Sequence, residues 1–200
     1  MPKNPILVDI PEEIETSRLC LKMPKAGLGP QLHEAIMDGY DDSIKWLGWP
    51  QAKPSTEDVE IDCRKHNAEF ILRDFIRFII VEKSTDRTIG RCAFPSFQSN
   101  WLIPQFGISY FIRRSDRAQG YATEAAHALA YLAFKLLHAQ KIEIFCDADN
   151  RASCRIPEKL GFIHEYTQRG GWLRADSSLA QLRTYALFDI VDLPTREVRW

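Results

Sequence analysis

Arg113-Arg-Ser-Asp-Arg-Ala-Gln-Gly-Tyr-Ala-Thr-Glu-Ala125 sets a cationic, glycine-containing turn directly before a run of small apolar residues. Ala122, Ala125, Ala126, Leu129, Ala133, Leu136 and Leu137 recur at helical spacing, which predicts a helix over 120–138. The first turn of a helix carries amides without internal partners and the positive end of the macrodipole, so it attracts anions. Gly120 admits close approach and Ala122 keeps the next position narrow. Arg113, Arg114 and Arg117 add guanidiniums of the kind that grip phosphate oxygens in pairs. Spacing decides which phosphate site this is. The lysine of G-x-x-x-x-G-K-(S/T) is missing and no G-x-G-x-x-G opens a strand–helix–strand unit, so neither a triphosphate loop nor a dinucleotide fingerprint is supported. What remains is Arg117-x-x-Gly120-x-Ala122.

Working outward, Phe106–Ile112 alternates like a strand and delivers the chain into this turn, and Lys141–Asp147 alternates again after the helix. That strand, helix and strand form one crossover, hence a parallel pair. Residues 1–16, interrupted by Pro2, Pro5 and Pro11, read as an extended arm, and Ser17–Lys22 as a first strand. A helical region with Leu32, Ala35 and Ile36 on one face follows, then a helix from Ser55 to Leu72 opened by a Ser55-x-x-Asp58 capping box. Phe75–Glu82 and Thr88–Phe97 read as strands joined by the turn Ser84–Arg87. Beyond 147 come a short helix over Asn150–Leu160 ended by Gly161, and closing strands over Phe162–Gln168 and Leu182–Asp189.

With 200 residues, 45% of them apolar, the chain can bury one core, and 1–200 reads as one domain. The net charge of −1 argues against nucleic acid as the main partner. Five scattered cysteines without a C-x-x-C pair fit a reducing compartment. No run approaches the roughly 18 apolar residues of a membrane span, so no membrane partner and a cytoplasmic location are expected. His33, His66, His127, His138 and His164 lack metal-ligand spacing, so no metal is expected.

Two motifs then resemble the GNAT family of N-acetyltransferases, and within it the RimJ/RimL-like branch. Arg117–Ala125 is similar to the family's acetyl-CoA pyrophosphate loop, (R/Q)-x-x-G-x-(G/A). Asp149-Asn-Arg-Ala-Ser-Cys-Arg-Ile-Pro-Glu-Lys-Leu-Gly-Phe162 is similar to its N-x-x-S-x-x-x-x-E-K-L-G-F segment. The motifs occur in the family's order with a strand between them. Ile14-Glu-Thr-Ser-Arg-Leu19 resembles the E-T-x-R-L opening of the branch, and the segment of Trp46 and Trp49 extends the likeness. The resemblance implies an α/β (α+β mixed) GNAT-like fold. It is expected to have a central mixed sheet of about six or seven strands flanked by helices, and a splayed parallel pair holding CoA.

The implied activity is acetyl transfer from acetyl-CoA to a primary amine, by direct attack in a ternary complex, with a protein N-terminal α-amine as first acceptor and a small amine as the other. No metal is implied, and relatives often pair as homodimers. Ile112, Arg113, Arg114, Arg117, Ala118, Gln119, Gly120, Tyr121, Ala122, Thr123, Asn150 and Ser153 are the expected cofactor-binding residues. The pantetheine arm would run along the backbone of 106–112 as an added strand, and amides near Ile112 and Arg113 would polarise the thioester carbonyl. Asn150 serves equally as a helix N-cap. The family pattern puts Ser153 near the CoA sulfur as proton donor to the thiolate.

The base is the open position. Many relatives carry a glutamate in the strand where this chain has Gly107, so Glu165 is the candidate base, beside a water-relayed proton transfer. Cys154 lacks a positioned histidine and reads as an ordinary half-buried residue. Trp46, Trp49 and Phe70 lie in the helical excursion that lines the family's acceptor groove, and read equally as core. Gly107 also leaves room for an acyl-CoA-binding sensor or interaction module on the same fold with little transferase activity.

Overall fold

A computed structural model describes residues 4–200, the side chain of Phe97 excepted, so Pro2 and the rest of residues 1–3 of the expected arm lie outside the described residues. The arm ends earlier than expected. β1 (Glu13–Thr16) is a strand, pairing antiparallel with β2 (Leu19–Lys22), because alternation resumes immediately after Pro11 and buries Ile14 and Thr16. Three helices follow. They are α1 (Gly29–Met37), α2 (Tyr40–Leu47) and α3 (Thr56–Leu72), the last opened by the Ser55–Asp58 capping box with both reciprocal bonds made. β3 (Ile76–Glu82) and β4 (Arg87–Phe94) form the expected hairpin, which ends short of Phe97.

The predicted strand over 106–112 is two strands. After β5 (Ser99–Asn100) come β6 (Gln105–Gly107) and β7 (Ser109–Ile112), divided at Ile108. α4 (Tyr121–Lys135), β8 (Lys141–Asp147) and α5 (Arg151–Lys159) complete the crossover region. Gly161 at φ 81 stops α5 as expected, and a Cβ there would also meet the Asp192 carbonyl. β9 (Ile163–Leu173) and β10 (Leu179–Leu187) form a longer hairpin than expected, and β11 (Val198–Arg199) returns to β1.

The strands fall into a six-stranded sheet, β11-β1-β2-β3-β4-β7, and a five-stranded sheet, β5-β6-β8-β10-β9. β6 pairs parallel with β8, while β7 pairs antiparallel with β4. The chain therefore changes sheets at Ile108, and β7 diverges from β8 beyond it. The parallel pair and its splay are thus present. The strand total exceeds the expected six or seven because β6 and β7 separate and β1, β5 and β11 were not read as strands.

The main core lies between the sheets and α4–α5, where Ala125, Ala126, Leu129, Leu132 and Ala133 are fully buried. Each buried leucine contributes about 2 kcal/mol. A second core of Leu32, Ile36, Val59, Cys63, Ile79 and Phe111 lies under α1–α3. Phe70 belongs to the main core, edge-on to Phe78, and so lines no groove.

Candidate active site

The turn before α4 is built by two left-handed residues. Ala118 has φ 63 and Gly120, the N-cap, has φ 85 with no side-chain cap. Such alternation turns successive amides toward one concavity. Among the described residues the backbone N–H groups of 118–123 meet no protein acceptor, and the helix ladder begins only with Glu124 donating to Gly120 O. Amides left free in such a concavity are able to hold an anion. Tyr121 and Thr123 are buried, and Ala122 is half-buried beside the main core.

The arginines do something other than expected. Arg113 Nε lies 3.3 Å from both Asp38 and Asp116 carboxylates, Arg114 bonds Asp42 at 3.2 and 3.1 Å, and Arg117 Nη1 bonds Asp42 at 2.6 Å. Burial opposes ionisation of Asp42, but hydrogen bonds from Arg117 and Arg114 hold its carboxyl below the usual range. A bond from the Ser115 amide does the same for Asp38. The guanidiniums therefore tie the loop to the α1–α2 turn, where a Cβ on Gly39 would strike Arg117, and their charge is matched by carboxylates. The attraction for an anion comes chiefly from the backbone amides.

Along β7 the amides alternate. Ile108 N–H donates to Glu143 O of β8 at 2.8 Å, and Arg113 N–H donates to Ile89 O on the β4 side at 2.8 Å. By strand parity Tyr110 and Ile112 share the direction of Ile108, so their amides face the splay. The expected donor pair is corrected here: Ile112 faces the opening, whereas the Arg113 amide is spent on β4.

Across the opening, Asn150 caps α5, its side-chain oxygen accepting from Ser153 N–H at 3.1 Å. Ser153 Oγ lies 3.1 Å from Tyr110 OH and 3.5 Å from Cys146 Sγ. Burial pushes the Tyr110 hydroxyl well above its ordinary value, so it stays protonated. Cys154 is buried and donates to Asp147 O, and its hydrogen bond with Cys146 lowers the thiol's pKa to about 7 against the effect of burial.

Glu165 is not brought to Ser153. It is ion-paired to Lys141 at 2.7 Å and lies on β9, which β10 separates from β8 and so from Cys146 beside Ser153. Its place in the sequence reveals neither that β10 intervenes nor that Lys141 holds its carboxylate. Where Gly107 lacks a side chain, Gln98 fills the space, and a Cβ on Gly107 would stand 2.5 Å from Gln98 Cβ. Gln98 Oε1 is buried without a hydrogen-bond partner among the described residues. Glu143 is the register partner of Gly107 and shares its face.

Sequence reasoning passed over Tyr110, Gln98, Glu143 and Arg18. Arg18 bonds the buried Glu124 through Nε at 2.7 Å, reaches Gln119 O at 3.0 Å and stacks on Tyr121 at 4.5 Å. Its signal was available, since the E-T-x-R-L segment and the pyrophosphate-type loop had both been singled out. What links them is Glu124, the single carboxylate of α4.

Comparison with known proteins agrees with this geometry. A family model described as an acetyltransferase (GNAT) domain matches residues 18–163. The uncharacterized N-acetyltransferase YjdG of Bacillus subtilis is 29% identical over 170 residues, 80% of this chain and 96% of that protein. The structure of RimL, a ribosomal L7/L12 alpha-N-protein acetyltransferase in complex with CoA, superposes with a TM-score of 0.79 at 18% identity, covering 90% of this chain and 97% of that one. Ribosomal-protein-S5-alanine acetyltransferase from Vibrio fischeri gives 0.78 at 13% identity, covering 93% and 100%. The chain is an acetyltransferase and belongs to the GNAT family, with RimL- and RimJ-like ribosomal-protein acetyltransferases as structural neighbours.

Proposed function

We propose that this enzyme transfers the acetyl group of acetyl-CoA directly to a primary amine, with a protein N-terminal α-amine as acceptor. The observation that carries the reading is the run of unpartnered amides at 118–123, set beside the open edge of β7. Residues 118–123 would hold the pyrophosphate. Arg113, Arg114 and Arg117 fix the loop's shape, with Arg114 the most exposed of the three. The Tyr110 and Ile112 amides would bond the peptide-like arm and polarise the thioester carbonyl, and Asn150 offers its side-chain NH2. Acetyl-CoA supplies the activated acyl group.

Ser153 would give its proton to the departing thiolate and take up the one the attacking amine releases, while Tyr110, whose hydroxyl stays protonated and lies against it, holds it in place. Gly107 removes the family's base, and Glu143, on the same face and in register but paired to Lys141 at 2.8 Å, would accept the ammonium proton through water.

Acetyl-CoA binding and thiol release are the tests. Gly120→Glu puts a carboxylate and a strained φ at the cradle, and should cut acetyl-CoA affinity by about 100-fold or more. Ser153→Ala should lower kcat by about 100-fold with the acetyl-CoA Kd unchanged. Retained affinity in the first, or an unchanged rate in the second, removes that residue from the mechanism. Binding without turnover on any amine would leave only an acyl-CoA-binding role.

A further inference from the structure

The face of the six-stranded sheet that lies under α1–α3 carries two arginines. Arg77 on β3 has the parity of Ile79, and Arg91 on β4 pairs in register with Phe111 of β7, so both project among that second core. They are diagonal neighbours, since Arg77 opposes Ala93 and Ile79 opposes Arg91. Both are half-buried. Among the described residues neither guanidinium makes a hydrogen bond, and no carboxylate lies within 4.0 Å of either. Each guanidinium lies over a ring face: Arg91 over Trp49 at 4.8 Å and Arg77 over Phe75 at 4.6 Å.

Two like charges withdrawn from water beside each other oppose folding unless an anion joins them. The strain shows in their neighbours. Desolvation first, and then the Arg91 charge, lowers the Arg77 pKa, and His66 is pushed down by burial and by Arg77. Asp62 and Glu69 act on the pair only from a distance, and Glu69 is occupied by His66 at 2.6 Å. The other arginine clusters of this protein, at Asp38, Asp42, Asp116, Asp147 and Glu124, are paired with carboxylates at contact.

We infer that Arg77 and Arg91 form an anion-binding subsite for the acceptor, so that the enzyme takes primary amines carrying a carboxylate or phosphate near the amine. Phe111, the partner of Arg91, sits between the two β7 amides that face the splay, which puts the guanidinium about 10 Å from the carbonyl those amides would polarise. An acidic side chain at the second or third residue of a peptide spans that distance, as does the phosphate of a small amino-phosphoester. Two guanidiniums also match the paired oxygens of either anion. The acceptor assignment rests on the proposed transferase reading, whereas anion binding does not.

The test pairs acceptors that differ only in charge: peptides beginning Ser-Ala-Ala, Ser-Asp-Ala, Ser-Ala-Asp and Ser-Ala-Lys, and ethanolamine against phosphoethanolamine. The acidic members should show kcat/KM higher by about tenfold or more, which also tells peptide from small phosphoester. R77Q and R91Q should each bring that ratio toward one without changing the KM for acetyl-CoA, and R91K should keep part of it. Without any variant, inorganic phosphate added to the CoA-saturated protein should shift the Nε–H NMR signals of Arg77 and Arg91. Equal rates for acidic, neutral and basic acceptors in an active enzyme, or unmoved signals, overturn the inference. Shifted signals with no acceptor acetylated leave the subsite standing and defeat only the transferase proposal.

Discussion

Gln98 stands where a side chain at Gly107 would project, and that single replacement explains why the usual glutamate cannot simply be put back. Gly107→Glu would set its Cβ 2.5 Å from Gln98 Cβ and 2.6 Å from the buried Oε1. Overpacking of this kind costs about 1–3 kcal/mol, and the new carboxylate would face an unpartnered carbonyl oxygen. G107E is therefore expected to lower the urea midpoint without gaining activity, and the pair G107E/Q98A to recover most of the midpoint. A G107E protein as stable as the parent would show that Gln98 is not the wedge. The sequence displays the empty position at 107 plainly. It does not display the occupant, because a glutamine before a short hairpin carries no mark of the residue it will cover. Arg77 and Arg91 were overlooked for a similar reason: an isolated arginine in a strand reads as solvent-facing until helices are laid over that face.

The β1–β2 turn and α4 are joined through one carboxylate. Glu124, 4% exposed, accepts from Thr16 Oγ1 at 2.6 Å, Ser17 Oγ at 3.1 Å, Arg18 N at 2.9 Å and the Arg18 guanidinium. Burial opposes its ionisation, but these bonds prevail and its pKa is lowered. Folding thus favours the ionised form. The stability it adds is present above the unfolded carboxyl value, about 4.3, and is lost as pH falls through the lower folded value. Glu124→Ala takes an acceptor from two hydroxyls and from Arg18, which is 43% exposed, and should cost about 1–3 kcal/mol at pH 7. Glu124→Gln should cost less and should flatten the fall in Tm between pH 5 and pH 3, a comparison that thermal melts make directly. An unflattened profile would mean the acid sensitivity resides elsewhere. Both elements in this link were legible, β2 by alternation and α4 by helical spacing. β1 was not, because three prolines hid a four-residue strand, and the break at Ile108 was not, because 106–112 reads as one β run and cannot say that its halves pair with different partners.

At the scale of the molecule, two sheets share one chain segment and part company at Ile108, and the opening is kept by what surrounds it. On one side β4 holds β7 by its odd-numbered amides; on the other, Glu143 holds β6. The pyrophosphate-type loop is tied to α1–α2 by Asp38 and Asp42, so the same helices that cover the second core also set the mouth of the splay. This arrangement predicts a pattern of amide exchange. In the free protein, Tyr110, Ile112 and residues 118–123 should exchange rapidly, since their N–H groups lack protein acceptors, while Arg113 on the same strand is protected by Ile89 O. Saturating CoA should slow the first set selectively and leave Arg113 nearly unchanged, because only the first set gains partners on the proposed reading. Protection should then extend to α1 and α2 through the loop's ion pairs, more at low salt than at high, since half-exposed pairs are screened. Protection of Arg113 and the 118–123 amides to equal degree in the free protein would mean that the cradle is already closed on itself, and the pyrophosphate would have to bind elsewhere.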